Sequence, residues 1–112
     1  MTFEPWDVVV VPFPFTDKKS SKRRPALVLS AKQHFNTGHS VLAMITSRDN
    51  AGWPLDVPIA DGGAAGLWAP SVVRMKLFTL DDRLILRKAG SLSGKDVKAV
   101  AATLKKLFPK TP

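Results

Sequence analysis

The sequence predicts a mostly β domain, a small antiparallel barrel closed or covered by one C-terminal helix. Three observations lead there. Short β-branched runs recur between turn-forming segments. The apolar period lengthens from strand-like to helix-like only near the end of the chain. The 112 residues are 45% hydrophobic and suffice for one core but not two, so residues 1–112 are read as one domain.

The first run, Asp7-Val8-Val9-Val10-Val11-Pro12-Phe13, is short and β-branched and reads as a buried strand that Pro12 and Pro14 end. Residues 16–24, Thr-Asp-Lys-Lys-Ser-Ser-Lys-Arg-Arg, form a polar and strongly basic surface loop. A second strand over 25–30 follows. Pro25 is expected at its start, because a proline inside a strand removes a ladder hydrogen bond, and Arg24 then marks the junction of loop and strand. A loop over 31–40 precedes a third strand over 41–46. Residues 49–52 make a turn, 55–59 a short fourth strand and the Gly-rich 61–66 a mobile turn. Further strands are expected over 71–78 and 83–87. In the tail, Val97, Val100, Ala101, Leu104, Leu107 and Phe108 fall on one helical stripe that reads as core. Ser93 and Asp96 are spaced for an N-cap, and Pro109 stops the helix.

Charge points to the partner. Seventeen Lys and Arg against nine Asp and Glu give +8, a surface that attracts nucleic acid, DNA or RNA, or an acidic protein segment. With no cysteine, disulfides, thiolate metal sites and thiol nucleophiles are excluded. The start Met1-Thr-Phe-Glu-Pro-Trp6 lacks the basic and apolar regions of a secretion signal, and no apolar stretch approaches the roughly 18 residues of a membrane span. A cytoplasmic protein without a membrane partner is expected.

The segments at 7–16, 22–30 (Lys-Arg-Arg-Pro-Ala-Leu-Val-Leu-Ser) and 45–47 (Ile-Thr-Ser), with Ser71 to Asp81 and Ala89-Gly-Ser-Leu-Ser93, resemble the PemK/MazF toxin family in order and spacing. The specific part is the ordered set: an Asp-led strand, a basic loop, Arg-Pro-aliphatic-Ser, then an aliphatic strand ending in Thr. The resemblance implies an SH3-like barrel, a homodimer, and a toxin that cleaves single-stranded RNA or mRNA at short motifs with no metal and no cofactor. A cognate antitoxin with an acidic segment would restrain it. By the same resemblance Arg24, of the Arg-Pro motif, and Thr46, at the end of the third strand, are the catalytic pair. The expected RNA contacts are Lys18, Lys19, Lys22 and Arg23 in the basic loop, Ser47 and Arg48 beyond the third strand, and Trp53.

The chemistry suits these residue types. An RNA 2′-hydroxyl can attack its own phosphorus, so the enzyme mainly positions the phosphate and compensates developing charge. A guanidinium offers charge and a fork of donors. Well-known members of the family carry an acidic residue in the loop where this chain has Lys18-Lys-Ser-Ser-Lys22. The 2′-hydroxyl would then be activated by water, by Asp17 or by electrostatics alone. Arg23 and Arg24 are consecutive, so in a strand only one is expected to face the site, and the position before proline favours Arg24. His34 and His39 as an acid–base pair share one loop with nothing to bring them together. Of Trp6, Trp53 and Trp68, which otherwise read as core or dimer packing, Trp53 is the best placed to stack on a base. Two rival functions remain, a barrel that binds nucleic acid without cutting it and a toxin of the same fold that poisons DNA gyrase. The second requires an exposed Trp at the C-terminus, where this chain reads Phe-Pro-Lys-Thr-Pro.

Overall fold

The computed structural model describes residues 3–13, 22–50 and 52–110. Six antiparallel strands and one helix follow in the order β1 (Asp7–Phe13), β2 (Lys22–Val28), β3 (His39–Ser47), β4 (Val57–Pro58), β5 (Ser71–Asp81), β6 (Arg87–Ser91) and α1 (Gly94–Leu107). They form a single curled sheet, ordered β4-β5-β3-β2-β1-β6. The mostly β fold with a C-terminal helix is as the sequence predicts.

The strand at the heart of the sequence reading is also the most buried. β1 is paired on both edges, to β2 and β6, and every residue from Asp7 to Pro12 is buried. Its alternate side chains enter two cores. Val8, with Leu27, Ala43, Ile45 and Val73, packs on the face covered by Val97, Val100, Leu104 and Leu107 of α1. Val9 and Val11, with Ala26, Val28 and Leu42, pack on the other face beneath Phe3, Leu80 and Ile85. A strand buried on both faces has no reason to alternate, which is why the run of four valines reads continuously apolar.

Pro12 and Pro25 lie inside strands, for one reason. Odd-numbered residues of β2 direct their backbone polar groups toward β3, as Leu29 N donates to Val41 O, and even-numbered ones toward β1, as Val28 O accepts from Trp6 N. The missing N–H of Pro25 therefore falls on the β3 side, and the β2–β3 ladder stops one residue away, at Ala26↔Met44. β2 nevertheless runs on along β1, to Phe13↔Lys22. Arg24 is thus a strand residue opposite Val11, and Pro12 continues β1 opposite Arg23, beyond the last β1–β6 pair at Val10↔Arg87.

Other boundaries shift for local reasons. Leu55 takes φ +65°, outside strand geometry, so the fourth strand shrinks to two residues. The strand expected over 83–87 is displaced: Asp81 accepts from Arg83 N and starts a 3-10 turn at Asp82–Leu84, and pairing resumes only at Arg87. The helix begins after Ser93, whose hydroxyl accepts from Asp96 N. Phe108, expected in the core, caps the helix and is 55% exposed.

The Gly-rich turn is tied down at several points. The Asp61 carboxylate accepts from Ala64 N, Ala64 O accepts from Ser91 N, and Ala65 is fully buried. A Cβ on Gly66, which has φ +73°, would strike the Ala89 carbonyl, and one on Gly90 would strike Ala65. Two carboxylates complete the closure. Buried Asp96 accepts from Ala60 N and Asp61 N, both at 2.9 Å, joining the helix to the turn. Buried Asp7 accepts from Glu4 N and Ser91 Oγ and pairs with Lys88, joining the start of β1 to β6.

Candidate functional site: a cationic cleft where the sheet forks

Beyond the last β2–β3 pair the sheet divides into two arms. β2 continues on β1, while β3 continues on β5 through Ile45↔Val73, Thr46↔Val72 and Ser47↔Ser71. A cleft of about 540 Å³ opens at this fork, within the size range of small-ligand sites. Lys22 to Pro25 form one wall, Thr46, Ser47 and Ser71 the other, and Gly66 to Ala69 the rim, with Arg87 and Ala89 contributed by β6.

Register fixes the faces. Extending Ala26↔Met44 by two residues places Arg24 opposite Thr46 across the fork, both on the Ala26 side of the sheet. Arg23 stands opposite Pro12 and shares the other face with Pro25 and Val10. Both arginines line the cleft, since it wraps around the free edge of β2. Among the described residues four cations, Lys22, Arg23, Arg24 and Arg87, therefore border one opening, and no Asp or Glu lines it.

Arg24 lies over the Phe13 ring at 5.5 Å. Its Nε is buried and, among the described residues, has no acceptor, a costly state for a charged donor that an incoming anion would relieve. The Thr46 hydroxyl accepts from Asn50 Nδ2 at 3.2 Å, which leaves its own hydrogen to be directed elsewhere. Asn50 in turn is held by its carbonyl, which accepts from the Arg74 guanidinium. Arg74 is clamped to Asp56 through Nε and Nη2, at 3.2 and 3.0 Å, and this hydrogen bond to Asp56 raises its pKa further above the ordinary arginine value.

The remaining expected site residues scatter. Ser47 lines the cleft, but its hydroxyl caps the following turn by accepting from Asp49 N. Arg48 lines a second, smaller cleft of about 310 Å³ behind the rim. Trp53 is outside both linings, its ring 5.7 Å from the Arg74 guanidinium and 5.8 Å from the Lys76 ammonium. His34 and His39 border different hollows. Lys18, Lys19 and Asp17 lie outside the described residues. Among the described residues no group of three or more His, Cys, Asp or Glu is gathered as a metal would require, and no helix is long and apolar enough to cross a membrane.

Arg87, Asn50, Arg74 and Trp68 were not singled out as site residues by the sequence. Arg87 depends on the displaced start of β6, and the Asn50 and Arg74 contacts join residues 24 apart in the chain, so neither leaves a local signal. Trp68 carried one, since it follows a Gly-rich turn and precedes Pro70, a setting unlike a core strand.

Comparisons with known proteins agree in fold. A family model described as PemK-like, MazF-like toxin of type II toxin-antitoxin system matches residues 4–108. The fold is similar to the Mycobacterium tuberculosis toxin MazF-mt6, with a TM-score of 0.72 at 23% identity over 91% of this chain and 95% of that one. It is similar also to a MazE-MazF structure from Deinococcus radiodurans, with a TM-score of 0.74 at 22% identity and 99% of both chains covered. An endoribonuclease solved with its cognate antitoxin from a mycobacterial species gives a TM-score of 0.70 at 13% identity over 97% of each chain. No curated protein matches the sequence significantly.

Proposed function

This chain belongs to the PemK-like, MazF-like toxins of type II toxin-antitoxin systems, and from that premise we propose that it is a metal-independent endoribonuclease acting on single-stranded RNA. The observation that carries the reading is the cationic cleft at the fork, where Arg24 stands across from Thr46 and, among the described residues, no carboxylate lines the cleft and the Arg24 Nε has no acceptor.

In the proposed reaction the ribose 2′-oxygen attacks the adjacent phosphorus as the bond to the 5′-oxygen breaks. The 2′-proton passes to water, and the departing 5′-oxygen is protonated from solvent. The products are a 2′,3′-cyclic phosphate and a 5′-hydroxyl. Arg24 hydrogen-bonds the non-bridging oxygens as charge develops, and the Thr46 hydroxyl donates to another. Lys22, Arg23 and Arg87 hold flanking phosphates, which fixes register without reading sequence. Lys18 and Lys19, outside the described residues, are kept as RNA contacts on the strength of the sequence alone. The protein works in the cytoplasm as a homodimer, and an antitoxin with an acidic segment silences it by lying in the same cleft.

The decisive experiment incubates purified protein with unpaired RNA in excess EDTA and identifies the ends. Cutting to cyclic phosphates by the wild type, lost in Arg24→Ala while RNA binding persists, supports the enzyme. Binding with no turnover in either protein means a non-catalytic nucleic-acid binder. Inhibition of gyrase with RNA left intact means the rival poison.

A further inference from the structure

Trp68 is fully exposed, at 102% of its reference area, yet it stands on anchored backbone. Leu67 N donates to Gly62 O at 2.8 Å, Pro70 O accepts from Arg48 N at 3.1 Å, and Ser71 Oγ donates to Ala69 O at 2.9 Å. Gly66, one step further, is packed so closely on Ala89 that no side chain fits there. A large flat ring is thus presented to solvent from a rim that gives it little freedom to fold away.

Its surroundings identify the class of ligand. Trp68 borders both the cleft of Arg24 and the smaller cleft of Arg48, and among the described residues neither lining contains a carboxylate. The other exposed large apolar side chains, Trp53, Leu55, Leu86 and Phe108, belong to neither lining. A protein-docking surface would be expected to gather such residues into one patch. An isolated indole between two cationic hollows instead matches the pattern of single-stranded nucleic-acid grooves, in which cations follow the backbone and aromatic rings take the bases. We propose that Trp68 is a nucleobase-stacking platform, holding an unpaired base between a phosphate at Arg24 and Arg87 and the next phosphate at Arg48. The second half of this statement, the phosphate at Arg24, rests on the endoribonuclease reading; the stacking itself does not. Because every base has a π face, the platform adds affinity with little sequence preference.

The test measures binding of a 2′-O-methylated oligouridylate, which cannot be cleaved, so that it is independent of turnover. Trp68→Ala should weaken binding roughly 5- to 150-fold, the range equivalent to ~1–3 kcal/mol at 1.4 kcal/mol per tenfold, with Trp68→Phe keeping most of the affinity and thermal unfolding unchanged in both. On an oligonucleotide cut to the shortest length that still binds, which fixes its register, a single abasic position scanned along it should cost the wild type affinity at one place and cost Trp68→Ala nothing there. Equal binding by wild type and Trp68→Ala overturns the platform, even if the wild type cuts RNA. So does a Trp68→Ala variant that binds RNA normally but loses self-association in light scattering or loses its antitoxin, because the indole is then a protein contact. Should the wild type bind with the expected abasic signature yet cut no RNA, the platform stands and the nuclease reading falls.

Discussion

The two ends of the curled sheet treat charge in opposite ways. At the closed end, beneath α1, the carboxylates are saturated: Asp96 takes two backbone N–H groups and Asp7 takes a backbone N–H, a hydroxyl and a lysine. Among the described residues, four cations line the forked end without a carboxylate, and one buried guanidinium nitrogen there has no acceptor. Asp7 and Asp96 hold the fold together, and the cations at the cleft are left for something from outside. Asp56, which supports Asn50 through Arg74, is itself occupied by that arginine.

If the division is real, removing a charge at one end should affect activity and at the other stability. The largest effect falls on Arg24→Ala. Loss of a donor aimed at developing charge costs about 2.7 to 4 kcal/mol, or roughly 100- to 1000-fold in cleavage rate. Its melting temperature should hold or rise, since a buried unsatisfied donor leaves with it. A fall in cutting that simply follows a fall in melting temperature would erase the contrast. Asp96→Ala is the mirror image. It removes the buried charged acceptor of the Ala60 and Asp61 N–H groups and should cost about 1.5 to 3 kcal/mol in urea unfolding, with the cleavage rate per folded molecule preserved.

Smaller effects sharpen the picture of the cleft. Asn50→Ala frees the Thr46 hydroxyl to rotate and should lower kcat about 2- to 10-fold, the scale of one hydrogen bond of ~0.5–1.5 kcal/mol, with KM little changed. A rise in KM alone would make Asn50 a binding residue. Arg23→Ala should reduce the slope of log affinity against log salt by about 0.7 on a single strand, as one phosphate contact is lost. An unchanged slope would place Arg23 outside the RNA path.

How legible this was depended on whether a residue answers to its chain neighbours or to distant ones. The Val8 to Val11 run and the Ser93 cap carry their structure in adjacent residues, and both appear where the sequence places them. The Arg24 and Thr46 pairing was reachable only through the family resemblance; its geometry depends on where Pro25 ends a ladder, and that required knowing which edge of β2 meets β3. The strand expected over 83–87 has a persuasive apolar run, but Asp81 captures Arg83 N and Gly38 O captures Asp82 N, so a cap and a tertiary bond override the pattern. Phe108 fits the helical stripe, but the helix ends at Leu107 and the extended backbone at Phe108 turns the ring away from the core.

The weakest expected effect, on acid stability, separates the ends most gently. Burial alone would raise the Asp96 pKa, but the backbone N–H groups of Asp61 and Ala60 and the Ser93 hydroxyl outweigh it and hold the group below its ordinary value. The hydrogen bonds from Arg83 likewise lower Asp81 from 3.8 to about 2. A carboxylate whose folded pKa is depressed contributes stability that is complete above its unfolded value and lost as pH falls through the folded one. The protein should therefore keep its full stability down to about pH 4 and lose it progressively toward pH 2. Asp96→Asn, already uncharged, should flatten part of that fall in urea midpoints measured across the range, whereas Arg24→Ala should leave the curve as it is. A curve equally altered by Arg24→Ala would mean that the cationic end also supports the fold.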